Sequence, residues 1–211
     1  MASPIVSLRI SVPVCSFRKG FAREYLETEE VPPPSTVYGL LLSLVGEENR
    51  YAYSGTKLAY AIIQKPKIST ILRTSWRVKS AKIPLGCGTN KRPDYQEILT
   101  GLVFGVWISP GDLADRMRVL QSDPSRIERY GGICLGESRD LVNDIEWFPR
   151  WPETQAEWLT LNSQGTITLP IWVDHVGSQH TIWRQFSLAS EPMDSPPDGD
   201  ARWITISHIR S

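Results

Sequence analysis

From Asn49 to Pro93 the chain contains no Asp and no Glu. The same 45 residues carry ten Lys or Arg. A formal net charge of +0 conceals this, because 17 of the 23 acids follow Pro93. Ordinary surfaces intersperse both signs. An acid-free middle is instead laid out to set one face against something anionic, nucleic acid being the common case. Cysteine is scarce as well. Cys15, Cys87 and Cys134 are odd in number, far apart, and form no Cys-x-x-Cys. That argues against a disulfide framework or a structural zinc and suits a reducing, cytoplasmic setting. No apolar run approaches the roughly 18–20 residues of a membrane span, so no membrane partner is expected. The start Met1-Ala2-Ser3-Pro4-Ile5 has neither the basic end nor the apolar core of a signal peptide. Histidine is limited to His175, His180 and His208, and no carboxylate cluster has clear metal-site spacing. No metal and no cofactor are expected.

What remains is a chain of 211 residues, 41% hydrophobic and 22% charged, enough for one large domain or one domain with an appendage. Its most organised stretch is Val31–Gly46. Three prolines bring the chain in extended. Ser35 or Thr36 then caps a helix, and Val37, Leu40, Leu41, Leu44 and Val45 form one apolar stripe. Gly46 marks its end. A hydroxyl-lined helix N-terminus is a ready anion site.

The remaining elements follow in order. Ile5–Val14 reads as a strand. The loop after it interleaves Arg18, Lys19 and Arg23 with Phe17, Phe21 and Tyr25, the mixture that phosphate contact and base stacking use. Lys57–Lys65 is a second strand. Ile68–Ser80 is an extended ribbon with Arg73, Ser75, Arg77 and Lys79 on one face. Leu72, Thr74, Trp76 and Val78 fall on its apolar or half-buried back. The turn-rich Ile83–Pro93 is its tip, with Lys82, Lys91 and Arg92 nearby. Ile98–Ile108 is a buried strand, and Pro110 and Asp112 open a helix with Leu113, Met117 and Leu120 on one stripe. Tyr130–Val142 is a glycine-bearing loop in which Gly136 lets backbone approach a ligand.

Strand, helix, strand, hairpin, strand, helix, strand is the split βαβ order of a ferredoxin-like or RNA-recognition sheet. The fold class is therefore α+β. Residues 1–146 form an RRM-like palm, and residues 147–211 form a small C-terminal β appendage whose tryptophans belong to its core.

Four segments together resemble the fifth family of CRISPR-associated proteins. They are Phe17-Arg18, Pro32-Pro-Pro-Ser-Thr-x-x-Gly-x-Leu-Leu42, Arg92-Pro-Asp-Tyr-Gln-Glu97 and Leu135-Gly-Glu-Ser-Arg-Asp-Leu141. The resemblance implies a RAMP-type subunit of the type I Cascade complex, with an inserted hairpin thumb at about 68–97. It implies binding of the 5′ handle of the crRNA, and contacts to the filament subunit, the large subunit and target DNA near the protospacer-adjacent motif. The glycine loop departs from the family's usual Leu-Gly-Arg-Ser-Glu-Asp, which makes Arg139 rather than position 137 the phosphate candidate. The candidate RNA contacts are Arg18, Lys19, Arg23, Tyr25, Ser35, Thr36, Arg73, Trp76, Arg77, Lys79, Lys82, Lys91, Arg92, Gly136 and Arg139. The expected function is non-catalytic RNA binding, since phosphate contacts and stacking need no catalysis. The alternatives are a metal-independent endoribonuclease of the same fold, and an unrelated RRM-like interaction protein.

Overall fold

The computed structural model describes residues 5–209, apart from 21, 23, 24, 77, 127, 128, 130, 148, 149, 152–154, 177, 178, 197 and 198. Its described strands form one ten-stranded, mostly antiparallel sheet carrying few helices. The strands are β1 (Val6–Cys15), β2 (Tyr25–Leu26), β3 (Lys57–Gln64), β4 (Lys67–Trp76), β5 (Lys91–Ile108), β6 (Asp144–Trp147), β7 (Gln155–Leu161), β8 (Ile167–Trp172), β9 (Ile182–Pro192) and β10 (Ile204–Thr205). Helices α1 (Pro34–Leu44) and α2 (Asp112–Ser122) complete the framework. The sheet runs β6-β1-β5-β3-β7-β9-β8, so β7 of the C-terminal segment continues the sheet directly from β3.

Alternation builds the main core. Val6, Leu8, Ile10 and Val12 of β1 are buried against Leu102, Phe104, Val106 and Ile108 of β5. Helix α1 brings its stripe of Val37, Leu40, Leu41, Leu44 and Val45 to the same core, and α2 brings Leu113, Met117 and Leu120. The opposite face of the sheet is closed differently. Trp107 stacks on Trp151 at 4.8 Å and packs on Trp158 at 4.5 Å, above the small Ala59 and Ala61. The C-terminal tryptophans Trp158, Trp172 and Trp203 are buried, whereas Trp183 is exposed.

The expected cap of α1 is corrected. Pro33 is the N-cap, no side chain caps the helix, and Pro34 is its first residue. Proline lacks the N–H that would be orphaned there and is preset to helical φ. The helix thus starts early, and Ser35 and Thr36 fall inside its first turn. Its far end follows expectation. Glu47 N–H bonds Leu42 O at 3.0 Å and Gly46 N–H bonds Ser43 O at 3.3 Å, a Schellman closure.

The sidedness of the hairpin is also corrected. Leu72, Thr74 and Trp76 face solvent, while Arg73 and Ser75 are half-buried. The reason is that β4 pairs with β5 alone, so nothing covers its apolar side, whereas the arginine side turns toward the loop at 134–140.

Cys15 is buried beside Asp140, and burial pushes its thiol up to about 12. The unfolded thiol ionises near its ordinary pKa of about 8.5, so the folded state binds the proton more tightly. Stability is then expected to fall as pH rises above about 9. Urea denaturation between pH 8 and 10 checks this: Cys15→Ala should flatten the decline, and native Cys87, which is exposed, should react with a thiol reagent long before Cys15.

Candidate nucleic-acid interface

The outer half of β5 and all of β4 form a hairpin closed by a compact tip. Asn90 organises that tip although it looks unremarkable in sequence. Its fully buried amide accepts the N–H groups of Lys79 (2.8 Å) and Ser80 (3.0 Å), and donates to Ser80 O (2.8 Å) and Ile83 O (2.5 Å). Around this clamp Lys79, Lys82 and Lys91 are exposed and make no ion pair among the described residues. Trp76 is 69% exposed, and one edge of its ring lies against Gly86. Tyr25, Tyr95 and Leu72 are register neighbours across β2, β5 and β4, and all three are exposed. Free cations beside exposed rings suit a nucleic-acid strand.

Just below the tip, in the outer part of the β4–β5 ladder, the arginines are neutralised. Arg92 Nε lies 2.8 Å from Asp94, which is 4% exposed. Arg73 lies 3.1 Å from Glu137, and Arg139 lies 3.0 Å from the same carboxylate. The glycine loop that carries Glu137 is pinned by Asp140, whose Oδ2 accepts the N–H groups of Ser16 and Glu137 at 2.9 Å each. Burial pushes the Asp140 carboxyl above its ordinary value, against the lowering effect of those two bonds.

A third group gathers beside α1. Ser35, Thr36, Gly39 and Ser43 line a groove of about 340 Å³ together with Arg50, Gly136 and His175. Three residues singled out in the sequence, Ser35, Thr36 and Gly136, therefore meet in one place. Arg50 was missed. Its guanidinium rests 4.0 Å from the centre of the Trp172 ring and has no carboxylate partner among the described residues. That is a cation held over a buried aromatic ring, with no carboxylate to neutralise it among the described residues. Ser35 Oγ is sealed from solvent without a hydrogen-bond partner among the described residues. His175, assigned by sequence to the C-terminal appendage, also reaches the groove, because β8 packs against α1 and delivers the histidine just beyond its end.

The chain as a whole has relatives. The chain is 42% identical, over 84% of its length and 86% of the relative's, to a protein of Myxococcus xanthus (strain DK1622) called CRISPR-associated protein Cas5. This chain belongs to the Cas5 family. No protein-family model matches it. Two solved structures share its fold at 13% identity. A chain from a structure titled CRISPR RNA-guided surveillance complex gives a TM-score of 0.65, covering 94% of this chain and 96% of that one. A structure titled Crystal structure of Cas protein gives 0.53, covering 90% and 95%. Family membership sets aside the reading of an unrelated RNA-recognition-type domain.

Within this Cas5-family fold the first loop is mostly committed to its own structure. Phe17 is buried, Arg18 donates to Ala22 O at 3.1 Å, and Lys19 lies 3.8 Å from Glu27. Tyr25 keeps an exposed ring, while its hydroxyl bonds Thr70 and Glu97. Phe21, Arg23 and Arg77 lie outside the described residues. A second missed residue, Trp183, is 41% exposed and lies against Gly20 of this loop. Period-2 alternation between buried Ile182 and Phe186 was the signal that turned it outward. Among the described residues no group of three or more His, Cys, Asp or Glu forms a metal site, and no helix is long and apolar enough to cross a membrane.

Gly136 carries the loop's tightest constraint. Its φ is 105°, and a Cβ there would stand 2.6 Å from Ser16 O. Gly136→Ala should cost about 1–3 kcal/mol of stability, read as a lower urea midpoint at unchanged slope.

Proposed function

We propose that this chain is a non-catalytic guide-RNA-binding subunit of a type I CRISPR effector complex, holding the 5′ handle of the crRNA. The observation that carries the reading is the hairpin tip, where Lys79, Lys82 and Lys91 stand unpaired around exposed Trp76. A strand can lay its phosphates on the lysines and a base on the indole. The groove of Arg50, Ser35, Thr36 and Gly136 offers a second contact, where a phosphate would meet a preset guanidinium and a helix N-terminus. We take the β6-β1-β5-β3 order, with α1 and α2 as its two connections, as a ferredoxin-like palm and the β4–β5 hairpin as its thumb. Support comes from Cas5 membership and from the structural neighbour's title, which names an RNA-guided complex. Filament subunit, large subunit and target DNA near the protospacer-adjacent motif are the partners this reading entails.

One observation favours a second reading. His175 borders the groove, and a histidine beside a phosphate is the usual general acid or base of metal-independent RNA cleavage. Purified protein incubated with precursor guide RNA in EDTA separates the two. No cleavage is expected, and repeat-specific cleavage lost in His175→Ala would make the chain a processing nuclease.

Replacing Lys79, Lys82 and Lys91 together by Ala should weaken handle-RNA binding and flatten its salt dependence by about two units of slope, at roughly 0.7 per single-strand phosphate. Binding titrations from 50 to 300 mM salt measure it. An unchanged slope would remove the tip from the RNA-binding surface.

A further inference from the structure

A carboxylate occupies the point where three donors converge beside the middle of the β4–β5 ladder. Arg73 NH1 lies 3.1 Å and Arg139 Nε 3.0 Å from Glu137 Oε2, while Gln96 Nε2 donates to Glu137 Oε1 at 3.0 Å. Gln96 is fully buried, and its own Oε1 accepts Arg73 at 2.5 Å and Arg139 at 3.0 Å. Those two bonds hold the guanidiniums whether Glu137 is present or not. The Glu137 main chain is anchored separately, through its N–H on Asp140 and through Gly136 packed on Ser16 O. Its side chain is therefore free to swing out without moving the loop. The carboxylate is 30% exposed, so the position it fills opens to solvent. Two guanidiniums and one amide N–H around a pair of oxygens is a donor set matched to phosphate.

We propose that Arg73, Arg139 and Gln96 form a phosphate subsite whose resident occupant is the displaceable side chain of Glu137. The inference rests on the RNA-binding reading for its biological ligand, but the subsite itself does not require it. A backbone phosphate entering here must expel a carboxylate of like charge. A free anion lacks the other contacts that drive this exchange. A strand already held on the tip lysines presents its next phosphate at high effective concentration. Glu137 thus discriminates a continuous strand from loose anions.

The test compares wild type, Glu137→Ala and the double variant Arg73→Ala/Glu137→Ala, with inorganic pyrophosphate as the first probe and handle RNA as the second. Millimolar pyrophosphate should raise the melting temperature of Glu137→Ala, and leave wild type and the double variant unmoved. Glu137→Ala should bind handle RNA about fivefold more tightly than wild type, the scale of one partly exposed ion pair. If Glu137→Ala does not fold, Glu137→Gln carries the same comparison without the charge. A pyrophosphate response in the variant with no RNA binding by either protein would sink the RNA-binding reading and uphold the subsite. No response in the variant, an equal response in wild type and the variant, or weaker RNA binding by the variant would overturn the subsite.

Discussion

The hydrogen-bond ladder along β5 is the constraint on which this structure depends. Eighteen residues long, the strand pairs with β1 and β3 through its inner half and with β4 and β2 through its outer half. The inner half is core, with Leu102, Phe104, Val106 and Ile108 fully buried. The outer half leaves the core and carries the hairpin. The change falls at Gly101, whose φ of 75° turns the strand beside Pro13 of β1, a residue with no N–H to pair. Because the two halves are one strand, the orientation of the hairpin is fixed by the core of the sheet rather than by a flexible joint. A hairpin held this way would lose less freedom on engaging a ligand.

Charge is sorted along that same strand. The acid-free stretch supplies cations to the whole hairpin, yet the fold treats them unequally. Along the outer ladder, acids from outside the stretch neutralise the arginines: Asp94 for Arg92, and Glu137 for Arg73. The planar guanidinium suits such fixed, partly buried pairs. Near the tip the lysines stay unpaired and exposed, which suits a compact, hydrated charge on a flexible stem. The arginines of the ladder are therefore locked in ion pairs, while the lysines of the tip keep their charge open to solvent. Arg50 follows a third pattern, a cation held by an aromatic face with no acid at all.

Much of the framework was legible in the sequence. The stripes of α1 and α2, the buried strands and their order all follow from periodicity, since burial of one face is a local signal repeated over many residues. The sidedness of β4 was not legible. Alternation separates Arg73 and Ser75 from Leu72, Thr74 and Trp76, but it cannot say which set meets neighbours when only one strand pairs with it. The helix cap failed for a related reason: Pro34 and Ser35 both begin helices, and proline won the first position. Glu137, Arg50 and His175 depend on long-range contacts. Glu137 lies 64 residues from Arg73, and no spacing rule joins them. The predicted residues Ser35, Thr36 and Gly136 do converge, whereas Arg18 and Lys19 are largely occupied within their own loop.

The central claim is that RNA lies along the hairpin tip and the groove beside α1. Photo-crosslinking of the assembled protein with guide RNA, followed by mass spectrometry of the linked peptides, tests it most directly. The account predicts crosslinks within residues 76–95 and at Ser35–Gly39 or Arg50. Crosslinks confined to the Trp107–Trp158 face of the sheet, or none in a complex that retains its RNA, would contradict it.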